Sequence, residues 1–480
     1  MQRTAPIKIG YLGIIVTISI AFTGCMAGPD YSRPKTAADT PDSYFAAGKH
    51  SQDVNDLADI DKWWQQFGDP TTTVLVRQAL ANNYELKAGA ARLLQAKAIL
   101  AENTGRRWPQ VSYNLWRDRS KRSFNFDGGR FNSLTTTFSQ DISVAYVLDL
   151  FGKLKHSERA AWAEMLAAQS NKQALVNSLI ATVIKSRVDI ATIQQRLALA
   201  RANTQSRQRT LDIVERRYSH GLIGPVDVRM ARENLAASKA VEPNIELALI
   251  TAHHALDVLL ARRPGSSQKL PETLADLPDL DPVPVGLPAS LLDRRPDVRT
   301  AELALMASNE RVGVSIAQLY PDLTLTANYG RSADRWRDIW IPEAEIYSAV
   351  FSLAQPIFKG GQLRAQIDAA KARYAELAAN YAGTVLTALK EVEDALVSEQ
   401  LLQSQLEYVK LRLTEVRAAE NLSRQRYQRG VEGILTLLDT ERRRRIAEDE
   451  LAVLKGQIWT TRINLFLALG GDWSEETQVE

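Results

Sequence analysis

A single cysteine in 480 residues, Cys25, excludes a disulfide scaffold and any multi-cysteine metal site. Histidine is also scarce, with five, and the adjacent His253 and His254 point in different directions on a helix. Neither sign of charge dominates: 59 Lys and Arg against 56 Asp and Glu leave a formal +3, which gives no reason to expect nucleic acid as a partner. No run of 18 apolar residues follows the N-terminal segment, so a transmembrane helix is not expected there, and any membrane span must be built another way. A phosphate-binding Gly-rich Lys motif, HExxH and GxSxG are all missing, so an enzyme is not expected. The hydrophobic fraction of 45% is enough for a sizeable core.

What is present begins with an address. Arg3 and Lys8 precede an apolar stretch from Ile9 to Ala21, and small residues lead to Cys25. This is a secretory layout. It resembles a bacterial lipoprotein processing site, which implies cleavage after residue 24 and lipidation of Cys25. The alternative is an ordinary signal peptide that leaves a free thiol. Met26 follows the cysteine, not the Asp that retains such lipoproteins at the inner membrane.

The remainder is duplicated. Arg217-Tyr218-Ser219-His220-Gly221-Leu222 matches Arg426-Tyr427-Gln428-Arg429-Gly430-Val431 at an offset of 209. Trp108-Pro109 matches Tyr320-Pro321 at an offset of 212. Each half reads helix, strand pair, very long helix, tight turn, helix. The long helices are expected over 153–220 and 362–429, each 68 residues of strong helix formers with no proline and with glycines at their boundaries. Their narrow apolar stripes, such as Leu179, Ile180, Val183 and Ile184, suit coiled-coil packing. The shorter helices, over 71–104, 225–261, 288–318 and 434–469, add in pairs to nearly the same length, so two stacked end to end match one long helix. Pro243 is expected to kink its helix. The domain plan is a leader 1–24, an N-terminal extension 25–70, a first repeat 71–261, a Pro-rich crossover 262–288, a second repeat 289–470 and a tail 471–480.

Four segments alternate with period two, within about 110–149 and 322–355. Val111, Tyr113 and Leu115 line one face of the first, and Ile142, Val144, Tyr146 and Leu148 one face of the second. Leu323, Leu325, Ala327 and Tyr329 form the third face, and Tyr347, Ala349, Phe351 and Leu353 the fourth. One apolar and one polar face over about 9–11 residues suits a transmembrane barrel with a wet interior, yet bacterial barrels have at least about eight strands. Three copies pooling their strands would supply twelve and leave no edge. The alternative is a soluble hairpin pair. Trp116, Phe124, Phe126 and Phe131 are expected as interfacial aromatics around the first hairpin connection. Arg117, Arg119, Lys121, Arg122 and Arg130 make that connection basic; it reads first as a solvated loop, with contact to lipid phosphates as the alternative.

Several runs resemble outer-membrane efflux lipoproteins of the NodT/OprM type, relatives of TolC. They are Gly28-Pro29-Asp30-Tyr31-Ser32-Arg33-Pro34, Trp63-Trp64 with Phe67-Gly68-Asp69-Pro70, Leu291 to Arg299 (LLDRRPDVR), and the paired Arg-Tyr-x-x-Gly turns. The resemblance implies a mainly α homotrimer, with four strands per protomer forming a twelve-stranded barrel in the outer membrane above a long α-helical periplasmic tunnel. It implies a passive conduit in a tripartite pump with a periplasmic adaptor (membrane fusion protein) and an inner-membrane transporter of the RND class. It also implies contact with outer-membrane lipid, no cofactor and no catalytic residue. The adaptor would meet tips formed by Arg217, Tyr218, Gly221, Leu222, Arg426, Gly430 and Val431. Leu435, Thr436 and Asp439 match the constriction, where three Asp439 side chains would repel one another, raise their apparent pKa values and favour cations. Thr436 replaces a further Asp of TolC. Asp227 and Tyr427 match a pair that ties neighbouring helices in the closed state, while Glu432 stands where TolC has a supporting arginine. The competing reading is a structural, coiled-coil envelope lipoprotein without a pore; the duplicated strands argue against it. The run Arg442–Arg445 reads as the surface of a helix.

Overall fold

A computed structural model of the chain describes residues 26–34, 64, 68–127, 129–266, 270 and 295–470. The leader, Cys25, the tail 471–480, and most of the N-terminal extension and of the crossover lie outside these residues.

The elements follow in the order α1 (Pro70–Asn82), α2 (Tyr84–Gly105), β1 (Gln110–Phe126), β2 (Gly129–Leu148), α3 (Lys153–Ser219), α4 (Pro225–Leu259), α5 (Pro296–Ala317), β3 (Asp322–Ala333), two short 3-10 turns, β4 (Glu345–Ala354), α6 (Gln362–Gln428) and α7 (Ile434–Ala468). The two long helices have 67 residues each and end just before Gly221 and Gly430. Pro243 lies inside α4, which runs through it without a break. No helix among the described residues is long and apolar enough to cross a membrane.

One helix expected over 71–104 is two. Asn83 leaves the helical region with ψ of 132°. Its carboxamide oxygen accepts from Leu86 N (3.1 Å) and so starts α2 as a fresh N-cap. Its amide nitrogen donates to the Leu259 carbonyl (3.0 Å), joining this break to the end of α4. Asn competes with the helix for its own backbone, and here it has two other partners to satisfy.

The chain forms two compact units. One gathers Arg92–Gln169 and Thr300–Tyr381 with the described N-terminal residues, and the other gathers Ser170–Arg299 and Ala382–Glu480 with Thr36–Ala91, as far as each is described. In the first, the four strands make a single antiparallel sheet in the order β1-β2-β3-β4. The register sets Val111 against Val144, Val144 against Ala327 and Ala327 against Ala349. The four apolar half-strands therefore share one face. Ser112, Asn114, Asp141, Ser143, Asn328 and Ser348 share the other, where Asn114 donates to Asp141 (3.0 Å) and Asn328 to Ser348 (3.3 Å). At 17 and 20 residues, β1 and β2 are longer than expected. Alternation continues past the apolar part, with Thr135 to Thr137 supplying β-branched residues and Ser123 donating across to Asn132 (2.6 Å). Arg117, Arg119, Lys121, Arg122 and Arg130 accordingly lie on strands, not in a loop.

Strand parity also corrects the aromatic assignment. Trp116 pairs with Ser139 and Phe124 with Phe131, all on the polar face. The cross-strand row on the apolar face is instead Tyr113, Ile142, Tyr329 and Tyr347.

In the helical unit, Val76, Ile180, Val183, Ile184, Leu256, Ile463 and Phe466 form the main core, drawn from α1, α3, α4 and α7. The sequence motifs are fasteners. Asp69 caps α1 by accepting from Thr71 N (3.0 Å) and the Thr72 hydroxyl (2.7 Å), with Pro70 at the first helical position. Arg295 donates to Asp297 (2.8 Å), Glu391 (2.6 Å) and the Ala468 carbonyl (2.9 Å), so the start of α5 is tied to the end of α7. In the strand-bearing unit the segment from Ala27 to Arg33 is pinned in the same manner. Ala27 N donates to Phe151 O (3.1 Å), Asn309 to Pro29 O (3.0 Å), and Arg33 to both carboxylate oxygens of Glu302 (2.7 and 2.6 Å).

Candidate functional site

The duplicated Arg-Tyr-x-x-Gly motif makes two helix endings of one design. Leu222 N donates to Arg217 O (3.0 Å) and Gly221 N to Tyr218 O (2.9 Å); Val431 N donates to Arg426 O (3.0 Å) and Gly430 N to Tyr427 O (3.0 Å). This paired arrangement is a Schellman motif, and it needs a left-handed residue at the glycine. Gly221 and Gly430 supply it, with φ of +71° and +78°. Leu222 and Val431 are each 66% exposed, so both tips present an uncovered apolar residue. After each tip, Gly224 and Gly433 open the next helix in extended conformation.

The two tyrosines of the duplicated motif have different surroundings. Tyr218 is exposed, whereas Tyr427 is 2% exposed in a cluster with Leu211, Val214, Val228, Leu437 and Leu438. The Arg217 guanidinium lies over the Tyr427 ring, 4.8 Å from its centroid, and donates to the Tyr427 carbonyl. One motif arginine thus clasps the other motif's tyrosine. Its counterpart Arg426 turns outward and pairs with Glu432 (3.1 Å). The expected hydrogen bond between Tyr427 and Asp227 is not formed: the phenol has no hydrogen-bond partner among the described residues. Burial pushes that phenol up, the Arg217 charge acts against this, and the Asp227 charge adds to it. The tie on Tyr427 comes from Arg217, because the guanidinium reaches both the ring and the carbonyl. Arg217→Ala should cost about 1–2 kcal/mol at this clasp, seen as faster amide exchange confined to the two turns. Unchanged exchange would remove the clasp as an element of the tip.

At the start of α7 the segment Ile434 to Asp439 divides by face. Ile434, Leu437 and Leu438 are buried, while Leu435 is 63% exposed and Thr436 is also exposed. Leu435 and Asp439 share the exposed face one turn apart. The carboxylate of Asp439 is not alone: Arg442 and Arg443 each bond it at 2.6 Å. The hydrogen bonds from Arg442 and then Arg443 hold its carboxyl below the usual range, opposite to the rise expected from an all-acidic ring. The Arg442–Arg445 run is surface only in part. Arg444 turns inward to Glu448 (2.6 Å) and to Glu420.

Beyond the turns lies a buried ionic network that the sequence reading missed. Glu441, fully buried, accepts from Arg207 (2.6 Å) and from the Thr210 hydroxyl (2.7 Å), and Arg424 lies 3.6 Å away. It joins α3, α6 and α7 just inside the turns that end or begin them. Its sequence signal was available: the buried stripe of Ile434, Leu437 and Leu438 continues at helical spacing into Glu441 and Glu448, with Arg444 half-buried between them.

The family model described as outer membrane efflux protein matches residues 75–262 and 287–471. The chain is 30% identical to the pyoverdine export outer membrane protein OpmQ of Pseudomonas aeruginosa, over 97% of each chain. It is 27% identical to the cation efflux system protein CusC of Escherichia coli, covering 95% of this chain and 98% of that one. The solved outer-membrane channel OprN superposes with a TM-score of 0.86 at 30% identity, covering 94% of this chain and all of that one. Matched in both of its halves, by helices, sheet and turns alike, the chain belongs to the outer membrane efflux protein family.

Proposed function

We propose that three copies of this chain form a passive channel that carries small molecules outward across the outer membrane, as the exit duct of a tripartite efflux pump. The observation that carries this is the sheet. Over the halves of its four strands nearest the helices it has one apolar face and one polar face, and among the described residues β1 and β4 each keep one unpaired edge. Joined edge to edge, three such sheets close a barrel with a wet interior and remove the exposed edges. Lipidation at Cys25 would anchor the assembly. The tips at Arg217–Leu222 and Arg426–Val431 would meet a periplasmic adaptor through Leu222 and Val431, and the adaptor would couple the duct to an inner-membrane transporter of the RND class. The matched relatives are named for export of pyoverdine and of cations, which supports a duct whose architecture leaves cargo selection to its partners.

The exposed face of Leu435 and Asp439 is the proposed constriction, and Arg217 with Tyr427 and Asp227 the proposed latch beneath it. Each chain brings one Asp439 carboxylate and two guanidiniums to this face. The ring is therefore net basic and favours anions, contrary to the cation preference expected from Asp439 by itself. The purified, full-length protein in planar bilayers tests both levels. Stable conductance at trimer stoichiometry is expected; a bilayer-inserted monomer that passes no ions would leave only a structural lipoprotein. Asp439→Ala should make the residual current more anion-selective, since Arg442 and Arg443 lose their counter-charge. Because the Asp439 carboxyl is held down, selectivity should stay flat between pH 7 and about 5. Unchanged conductance and selectivity in Asp439→Ala would remove Asp439 from the constriction.

A further inference from the structure

The apolar face of the sheet does not stop at uncharged residues. On β1, Val111, Tyr113 and Leu115 are followed at the same parity by Arg117, Arg119 and Lys121. Their cross-strand partners are Phe138, Thr136 and Leu134, none of them acidic. All three cations are exposed, and among the described residues none has an ion pair or a side-chain hydrogen bond. Arg117 is nevertheless held in place, with its guanidinium 5.3 Å from the centre of the Phe138 ring. Phe138 also meets Trp336 edge-on at 5.9 Å, and Trp336 meets Trp340 at 6.4 Å. Both tryptophans are about half exposed, at 47% and 58%.

The spacing gives this cluster a level. From Leu148 to Phe138, the partner of Arg117, β2 advances ten residues. At about 3.3 Å per residue and a tilt near 40°, that is a rise of about 25 Å. It equals the height of the apolar band around an outer-membrane barrel, about 25 Å. Arg117 therefore stands where the band ends, amid exposed tryptophans of the kind found at a membrane interface. Arg119 and Lys121 continue outward beyond it.

We propose that Arg117, Arg119 and Lys121 form a docking ladder for phosphate-bearing lipid headgroups in the leaflet reached by the β1–β2 hairpin, the occupant being the phosphorylated glucosamine lipid of that leaflet. This rests on the barrel reading. Charge complementarity carries it: three unpaired cations, with no acidic cross-strand neighbour, begin at the level where lipid phosphates begin. Arg122, one residue on, points to the opposite face and serves as an internal control.

The test uses the full-length protein reconstituted in phosphatidylcholine vesicles holding either bis-phosphorylated lipid A or its dephosphorylated form, with retained lipid counted by native mass spectrometry. The phosphorylated lipid should be retained at least about tenfold more strongly, since each cation near an anionic lipid surface contributes roughly fivefold. The triple variant Arg117→Gln, Arg119→Gln, Lys121→Gln should lose this preference, and Arg122→Gln should keep it. Equal retention of both lipids, or an equal loss in Arg122→Gln, overturns the ladder. Conductance of the unsubstituted protein is measured in the same bilayers. If it conducts without a phosphate preference, only the ladder fails; if it does not conduct, the barrel reading and the ladder fall together.

Discussion

Glu441→Ala is expected to destabilise the helical unit by about 3–5 kcal/mol, because it strands a buried guanidinium. Arg207 is 5% exposed and Glu441 is fully buried, with 2.6 Å between their charged atoms. Burial pushes the Glu441 carboxyl up against the pull of Arg207, so the pair is held by geometry at a standing desolvation cost. Removing one member keeps that cost and abolishes the attraction. Glu441→Gln should fall between, since it still offers the Thr210 hydroxyl an acceptor. Replacing both members with apolar residues, Arg207→Met with Glu441→Leu, should recover most of the loss. Chemical unfolding of the full chain in detergent, followed by circular dichroism, measures the cycle. A cost below about 1 kcal/mol for Glu441→Ala would place the pair among surface-like ion pairs. The network joins the helices that carry both turns and the proposed constriction, so the same variant should also loosen the tips.

Gly330→Val is expected to abolish assembly of the sheet while leaving helix content intact. Gly330 faces Asp141 of β2 and Ile346 of β4 in the ladder. A Cβ there would lie 2.1 Å from the Gln140 carbonyl oxygen and 2.6 Å from the Asp141 Cα. Both obstacles are backbone, so no rotamer change relieves them, and the β2–β3 ladder from Phe138 to Leu148 must open. Such a clash belongs among exceptional destabilisations, above about 4 kcal/mol. The readouts are the yield of assembled protein in the outer membrane and single-channel activity, both expected near zero. Gly383→Ala is the matched control: Gly383 is exposed on α6 with open space around it. That change should stabilise its helix by up to about 1 kcal/mol. Normal assembly of Gly330→Val would mean that the ladder tolerates a local bulge.

Period and propensity make most of the architecture legible from residue order alone. A run of about 67 strong helix formers ending in glycine has few other options, and apolar alternation identifies a half-buried strand with both of its faces. The repeat at an offset of 209 carried the plan of one half to the other. Contacts between distant segments were not legible in this way. Asn83 breaks a helix because its amide finds the Leu259 carbonyl, and no local propensity encodes that. Arg217 and Arg426 are identical in local motif, yet one clasps Tyr427 and the other Glu432. Asp439 reads as an anion until Arg442 and Arg443 are seen to turn toward it, and Glu441 reads as solvated until α3 brings Arg207 against it. Periodicity is a property of neighbours along the chain, so residue order was enough to state it. Charge balance and burial belong to neighbours in space, and those exist only once the helices and strands have packed.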